Sequence, residues 1–451
     1  MLASEADAVR GPFLDRLPNA ALGTVVLGSV VATLISPRTI PFVLGLILIS
    51  LMISAALGGR LRQALPRFDW LTVALLSFVS WAAISALWSE VPSLALGKSG
   101  LALIILLATL AMVRLILQED TMNALHMADG VWVGAAIGLT YFFIELVSDQ
   151  SIKMWVYNTL ALGPEVLKPA RHFEWQDGRI VAISPIDLTR NTTPVSLLIW
   201  PAAIAALVTA PRIVRRPLSL GLLALGIAVI ALSTHETSKL AVVVGLVGYM
   251  LARLSHTWAF RLMGVAWVAC CLLILPAAML AHRADLHNAS WLQPSAQHRI
   301  IIWNHTAEQT LQYNPVFGIG ANMTHILGPR LNETTENGPD EQHSRTLSRH
   351  AHNIFLQTWF ELGAVGAIFL ALAGVALLGT IRRLNRAVRS EAFAMFASGA
   401  VLALASYGMW QVWYMAMFGF ATVLFAIACR VRTGGAVDRP HNWTDRHAGS
   451  R

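Results

Sequence analysis

Apolar runs of about 17–25 residues, each long enough to cross a bilayer as a helix, recur along most of this chain, separated by short polar breaks. The pattern predicts twelve spans, near 21–36, 40–57, 70–88, 101–117, 131–147, 192–210, 218–233, 239–254, 262–281, 355–379, 391–409 and 413–429. Two longer polar stretches interrupt it, at 148–189 and at 282–352. The expected architecture is therefore an all-α polytopic membrane protein of about twelve transmembrane helices, with a large outer loop that contains short helices of its own. Its parts are an N-terminal segment 1–20, spans one to nine over 21–281 with an outer loop at 148–189, the large loop 282–352, spans ten to twelve over 353–432, and a tail 433–451 without periodicity that is expected to be disordered.

Composition agrees with the pattern. Charged residues make up 13% of the chain and hydrophobic residues 56%, with a mean hydropathy of +0.59, whereas soluble domains carry about 25% charged residues. The net charge of +8 follows from where the arginines sit. Arg60, Arg62, Arg67, Arg212, Arg215, Arg216, Arg253, Arg261, Arg382, Arg383, Arg386, Arg389, Arg430 and Arg432 all fall in alternate loops and the tail. Basic short loops stay in the cytoplasm, so both termini are expected there, and the stretches at 148–189 and 282–352 are expected to face the periplasm. No basic soluble domain exists, which argues against nucleic-acid binding. The first apolar run reads as a retained span rather than a cleaved signal. Cys270, Cys271 and Cys429 all lie in predicted spans, leaving the outer loops without a disulfide framework.

Ionisable residues deep in a membrane mark ion or proton paths. Here the span centres lack them: Glu145, Lys98 and Lys239 sit near outer ends and Arg114 near an inner end. The absence of internal repeats also disfavours transporters built from repeated halves. Polar chemistry is displaced to the large loop, which holds eight of the fourteen histidines. Within it, Gln297–Trp303 opens a helix that should end near Asn314, where Pro315, Gly318 and Gly320 turn the chain. Asn332–Glu341 reads as a polar loop, and a helix is expected to restart near Ser348 and run into the tenth span. Gly363 and Gly366 permit close helix contact there.

His352-Asn353-Ile354-Phe355-Leu356-Gln357, followed by Glu361-Leu362-Gly363 and Gly366, resembles the signature of the O-antigen ligase and polymerase superfamily. Further pieces agree in order: Leu87-Trp88-Ser89-Glu90-Val91-Pro92, Arg190-Asn191, Thr237-Ser238-Lys239, and the series Arg299, Trp303, Pro315, Gly318, Gly320. The one departure is Lys239, where many members have arginine. The resemblance implies a bacterial inner-membrane glycosyltransferase that takes a glycan from an undecaprenyl-diphosphate carrier and passes it to a hydroxyl acceptor such as lipid A–core. The reaction is expected to need no cofactor and no metal, and its active site should face the periplasm among membrane lipids.

Under that resemblance His352 is the base that activates the acceptor hydroxyl, since imidazole titrates near neutrality. Arg190, Arg299 and Lys239 are the donor-diphosphate residues, with arginine offering a planar fork for phosphate oxygens. His350, Arg349 and Glu361 are accessory candidates. A metal held by His343, His350 and His352 is the competing reading, but the spacing is not that of a closed zinc site. Ligase is placed ahead of O-antigen or exopolysaccharide polymerase, which would use the same donor. Protein O-oligosaccharyltransferase comes third, and a transporter of the lipid-linked glycan that breaks no bond comes last.

Overall fold

The computed structural model describes residues 21–167, 169–334 and 350–434. Fifteen helices carry almost all of the regular structure: α1 Ala21–Ile35, α2 Ile40–Leu57, α3 Trp70–Ile84, α4 Pro92–Leu117, α5 Thr121–Val147, the short α6 Ser151–Thr159, α7 Thr189–Thr209, α8 Arg215–Leu232, α9 Glu236–Leu254, α10 His256–Arg283, α11 Pro294–Tyr313, α12 Thr324–Thr334, α13 Ile354–Arg383, α14 Arg386–Ala405 and α15 Val412–Thr433. The only sheet among the described residues is an antiparallel hairpin of β1 (Phe173–Gln176) and β2 (Arg179–Ile183). Among the described residues eleven helices are long and apolar enough to cross a membrane, so the chain is an all-α polytopic membrane protein. The remaining expected span, α1, has 15 residues and at about 1.5 Å per residue is shorter than the hydrocarbon layer. Ser36 and Pro37 stop it.

Polar residues at the breaks set the helix ends. Asp69, Asp120 and Asn353 each accept a hydrogen bond from a first-turn amide, satisfying donors that the helix cannot. α1 lies close against α5 because a side chain at Gly130 or Gly134 would strike the backbone of Gly23 or Leu27, a small-residue ridge of the kind that lets membrane helices approach. α7 is the centre of the bundle. It is buried along nearly its whole length, in spite of Pro194 and Pro201, and packs against α5, α8, α14 and α15. Val195, Leu198, Trp200, Tyr414, Phe420 and Leu424 belong to its core cluster.

Alternation of the helices gathers 36–39, 85–91, 148–167, 169–188, 233–235, 284–334, 350–353 and 406–411 at one end of the bundle. Contacts between them confirm the gathering, among them Trp88 Nε1 to Gly318 O at 3.1 Å and Trp303 Nε1 to Ala351 O at 3.0 Å. The opposite end carries the arginine-rich loops, where Arg60 pairs with buried Glu119 at 2.7 Å. Two expectations for the large loop change. α12, from Thr324 to Thr334, takes in the first residues of the polar stretch expected from Asn332, and α13 begins at Ile354 rather than near Ser348, because Asn353 is extended and caps it. Ser348 and Arg349 lie outside the described residues, as do His343, Asp340 and the tail after Gly434.

Candidate active site at the loop-bearing end

The site is built around a break in α13. Gly363 leaves the helical region, at φ 66° and ψ −166°, so neighbouring backbone groups lose their helical partners. The loop after α11 supplies replacements. Ile319 N–H donates to Phe360 O at 3.1 Å, and Gly320 N–H to Glu361 O at 2.8 Å. In return Ala364 N–H and Val365 N–H donate to Pro315 O and Val316 O, at 2.9 and 3.3 Å. Trp81 Nε1 donates to the Leu362 carbonyl at 2.9 Å. These freed groups are thus paired, as a buried backbone requires. This lattice explains the spacing of Pro315, Gly318, Gly320 and Gly363. Gly318 and Gly320 hold φ of +73° and +108°, and a Cβ on either would collide with Glu361 or Ser89. Gly320→Ala is therefore expected to lower stability by at least ~1–2 kcal/mol from the left-handed backbone alone, read as an earlier thermal-unfolding midpoint of the detergent-purified protein. An unchanged midpoint would refute this account of the loop.

Glu361 is the knot of the same lattice. Fully buried, it accepts from Asn322 N–H at 2.8 Å, Thr324 N–H at 3.3 Å, Thr324 Oγ1 at 2.6 Å, Gln357 Nε2 at 3.1 Å and Trp410 Nε1. Its oxygens are occupied in fastening the loop to α13.

Just before this helix the chain is strained: His352 holds φ +52°, uncommon for a residue other than glycine. Its Nδ1 lies 2.8 Å from the Ser406 carbonyl. A carbonyl only accepts, so Nδ1 carries the hydrogen and the basic lone pair is on Nε2. The His350 ring meets the His352 ring edge-on at 4.1 Å. Burial, then the neighbouring His350 and Arg299, lower the His352 pKa to about 3, so the ring is neutral at physiological pH. Burial lowers His350 as well.

Cations surround these rings. Arg299, on α11, donates to Thr237 Oγ1 at 3.3 Å, and Thr237 donates on to Ala405 O at 2.8 Å. Arg190, in the first turn of α7, acts electrostatically on His350. It also lines a cavity of about 340 Å³ with Arg38, Lys153, Asp187 and Tyr141. Tyr407 feels the charge of both arginines, bonds to Thr189 and Thr193, and stacks on His235 with ring centroids 6.0 Å apart. Burial pushes the Tyr407 phenol up, so it remains a neutral donor. His235 is lowered to about 4 by burial and by Arg299.

The structure therefore brings Arg190, Arg299, His350 and His352 into one electrostatic neighbourhood, but not Lys239. Its Nζ pairs with Glu236 Oε1 at 2.9 Å in a half-exposed i,i+3 pair. Thr237, which meets Arg299, lies two residues before Lys239 on α9, and a helical step of two residues separates their directions. Arg349 lies outside the described residues. Tyr407 and Arg38 carry no motif, and only three-dimensional proximity reveals them. Among the described residues no group of three His, Cys, Asp or Glu is placed to hold a metal ion.

Residues 221–371 match the family described as O-antigen ligase, a segment that contains Arg299, His350, His352 and Glu361. A Rickettsia felis protein named "Putative polysaccharide ligase" is 25% identical over 376 residues, covering 83% of this chain and 84% of that protein. The Rickettsia conorii protein of the same kind is 26% identical over 242 residues, 53% of this chain and 57% of its own. A Rickettsia typhi counterpart is 28% identical over 193 residues, 41% and 46% of the two chains. These matches agree with the superfamily resemblance drawn from the motifs, and the apolar helices make the chain a multi-pass membrane protein.

Proposed function

We propose that the chain transfers a saccharide from an undecaprenyl-diphosphate carrier to a hydroxyl of a glycan or lipid A–core acceptor, at the periplasmic face of the bacterial inner membrane. The observation that carries this reading is the neutral His352, its Nδ1–H held on Ser406 O, set beside Arg190 and Arg299. In the proposed step the acceptor O–H proton passes to His352 Nε2 as the acceptor oxygen bonds to the anomeric carbon. The bond from that carbon to the diphosphate oxygen breaks, the oxygen keeping the electron pair. Direct displacement inverts the anomeric centre. Arg299 and Arg190 stabilise the growing negative charge, an effect that is strong in a water-poor site, and Arg38 lies on the donor side. No metal is needed for any of these steps. Purified protein in nanodiscs, given lipid-linked saccharide and acceptor, should release free undecaprenyl diphosphate in step with glycosylated acceptor. Movement of the intact lipid without that release would favour a transporter instead.

The assigned face rests on the arginine bias of the opposite end. In a cysteine-free background, Arg179→Cys at the hairpin should react with an impermeant thiol reagent in intact spheroplasts. Ile213→Cys, 93% exposed between α7 and α8, should react only after permeabilisation. The reverse pattern would invert the orientation.

A polymerase would share donor, base and arginines. Ligase remains the preferred reading on the resemblance and on the relatives' names. Deletion should accumulate full-length polymer on the carrier beside bare lipid A–core, whereas core capped with a single repeat unit would identify a polymerase.

A further inference from the structure

Lys98 is a cation with no role in the step described. It sits in the second turn of α4, inside a membrane-crossing helix, and is half-buried. Its Nζ approaches the Trp410 carbonyl at 3.5 Å. Among the described residues no carboxylate lies in ion-pair range of it, and Glu361, which holds the indole N–H of the same Trp410, is occupied by its five donors. Near the outer end of its span, the Lys98 ammonium can reach toward the polar end of the bundle and stay available to a ligand there.

Lys98 lines a second cavity, of about 370 Å³, with Asn322, His325, His350, Trp410 and Gln411. Amide and imidazole groups suit sugar hydroxyls, and an indole offers an apolar face to sugar C–H groups. Gln411 has its oxygen engaged by Trp413 Nε1 at 2.9 Å, leaving its NH2 to donate. Gly408 is what lets the His350 ring close this cavity, since a Cβ there would come within 2.6 Å of the ring. His350 is at once a wall of the cavity and the edge-on neighbour of His352. An occupant would therefore lie one ring from the base, while Arg190 lines the other cavity, with Arg38.

We propose that this cavity is the acceptor subsite, and that it takes a saccharide bearing a negative charge, a phosphate ester or a carboxylate, which pairs with Lys98. The assignment as acceptor subsite rests on the transferase reading above; the anionic-saccharide site itself can be measured without it. Binding of glucose 6-phosphate, glucuronate and glucose to the full chain in nanodiscs, followed by saturation-transfer NMR, is the first test. The two charged probes should bind roughly tenfold more tightly than glucose, as a charge-assisted hydrogen bond provides. That advantage should vanish in Lys98→Gln and persist in Lys98→Arg, which also reports that the variants fold. Equal binding of all three probes by the unaltered protein would overturn the proposal, as would a Lys98→Gln variant that keeps the preference. In the transfer assay Lys98→Gln should raise the acceptor KM about tenfold and leave the donor KM unchanged. Dephosphorylated and carboxyl-reduced acceptors then separate the sources, since removing the relevant group should abolish the difference between the unaltered protein and Lys98→Gln. Charged probes that bind through Lys98 to a protein releasing no undecaprenyl diphosphate would sink the transferase reading and leave the anionic subsite intact.

Discussion

Replacing His352 by alanine is expected to reduce saccharide transfer by about 100–10,000-fold, the usual cost of removing a positioned general base, with the protein still inserted and monodisperse. The expectation follows from how the ring is fixed. Ser406 O holds the Nδ1 hydrogen, so only Nε2 can accept a proton. His350 packs on Gly408, and among the described residues its buried Nδ1 meets no hydrogen-bond partner, so His350→Ala should cost less. A variant lacking His352 that transfers at near-normal rates would remove the base from the proposed mechanism.

The same geometry fixes a pH dependence. The His352 pKa lies at about 3 in the folded chain, held down chiefly by burial, against an ordinary value of 6.5. In the free enzyme the base is then unprotonated throughout the neutral range. kcat/KM should stay flat from about pH 7.5 down to about pH 5, where an ordinary histidine would already have lost most of its basic form. Stability moves differently. Between the two pKa values the unfolded chain binds a proton that the folded chain refuses. The stabilisation is therefore complete above the ordinary pKa and declines as pH falls through that interval. His350 and His235 are shifted in the same direction and add to the slope. A thermal midpoint that rises on acidification from about pH 6.5 would contradict the buried, neutral state of these rings.

Hydrophobic period makes the bundle legible, because a span needs only length and apolarity. The ends are harder to read. Ser36-Pro37 shortens α1, and Asn353 moves the start of α13, through local capping that a hydropathy pattern does not weigh. The hairpin also escapes such a pattern, although Asp177 and Gly178, with φ of +50° and +74°, form the two-residue turn that such a pair favours. Among the site residues, His352, Arg190 and Arg299 are visible through motif resemblance. Lys239 is carried by its motif, yet the fold places it with Glu236, because spacing along a helix decides which residue of Thr237-Ser238-Lys239 faces inward. Tyr407 is hidden in the opposite way. It lies in a break between α14 and α15, far in sequence from both arginines, and only the folded chain brings it within reach of their charge.

The second large effect is expected at the arginines. Arg299→Ala should lower transfer by about 100–1,000-fold, the loss found when one donor to a developing oxyanion is removed from a preorganised site. Its guanidinium is mostly buried and already oriented by Thr237, so little reorganisation is left for the moment of bond breaking. Arg190→Ala should be comparable, with a larger share in donor binding, because Arg190 lines the cavity that also holds Arg38 and the Tyr141 ring. Lysine at either position keeps the charge but cannot reproduce a two-pronged grip on phosphate oxygens, so rescue should be partial. Lys239→Ala, by contrast, should fall within about threefold of the parent, in keeping with the small worth of an exposed ion pair. Rates measured with a fixed acceptor and varied lipid-linked donor would separate these cases: Arg299→Ala chiefly in kcat, Arg190→Ala in both kcat and KM. Should Lys239→Ala prove as damaging as Arg299→Ala, the cationic centre would have to be redrawn around α9. Should Arg299→Ala retain most of its rate, the diphosphate could not lie between α11 and α7 as proposed.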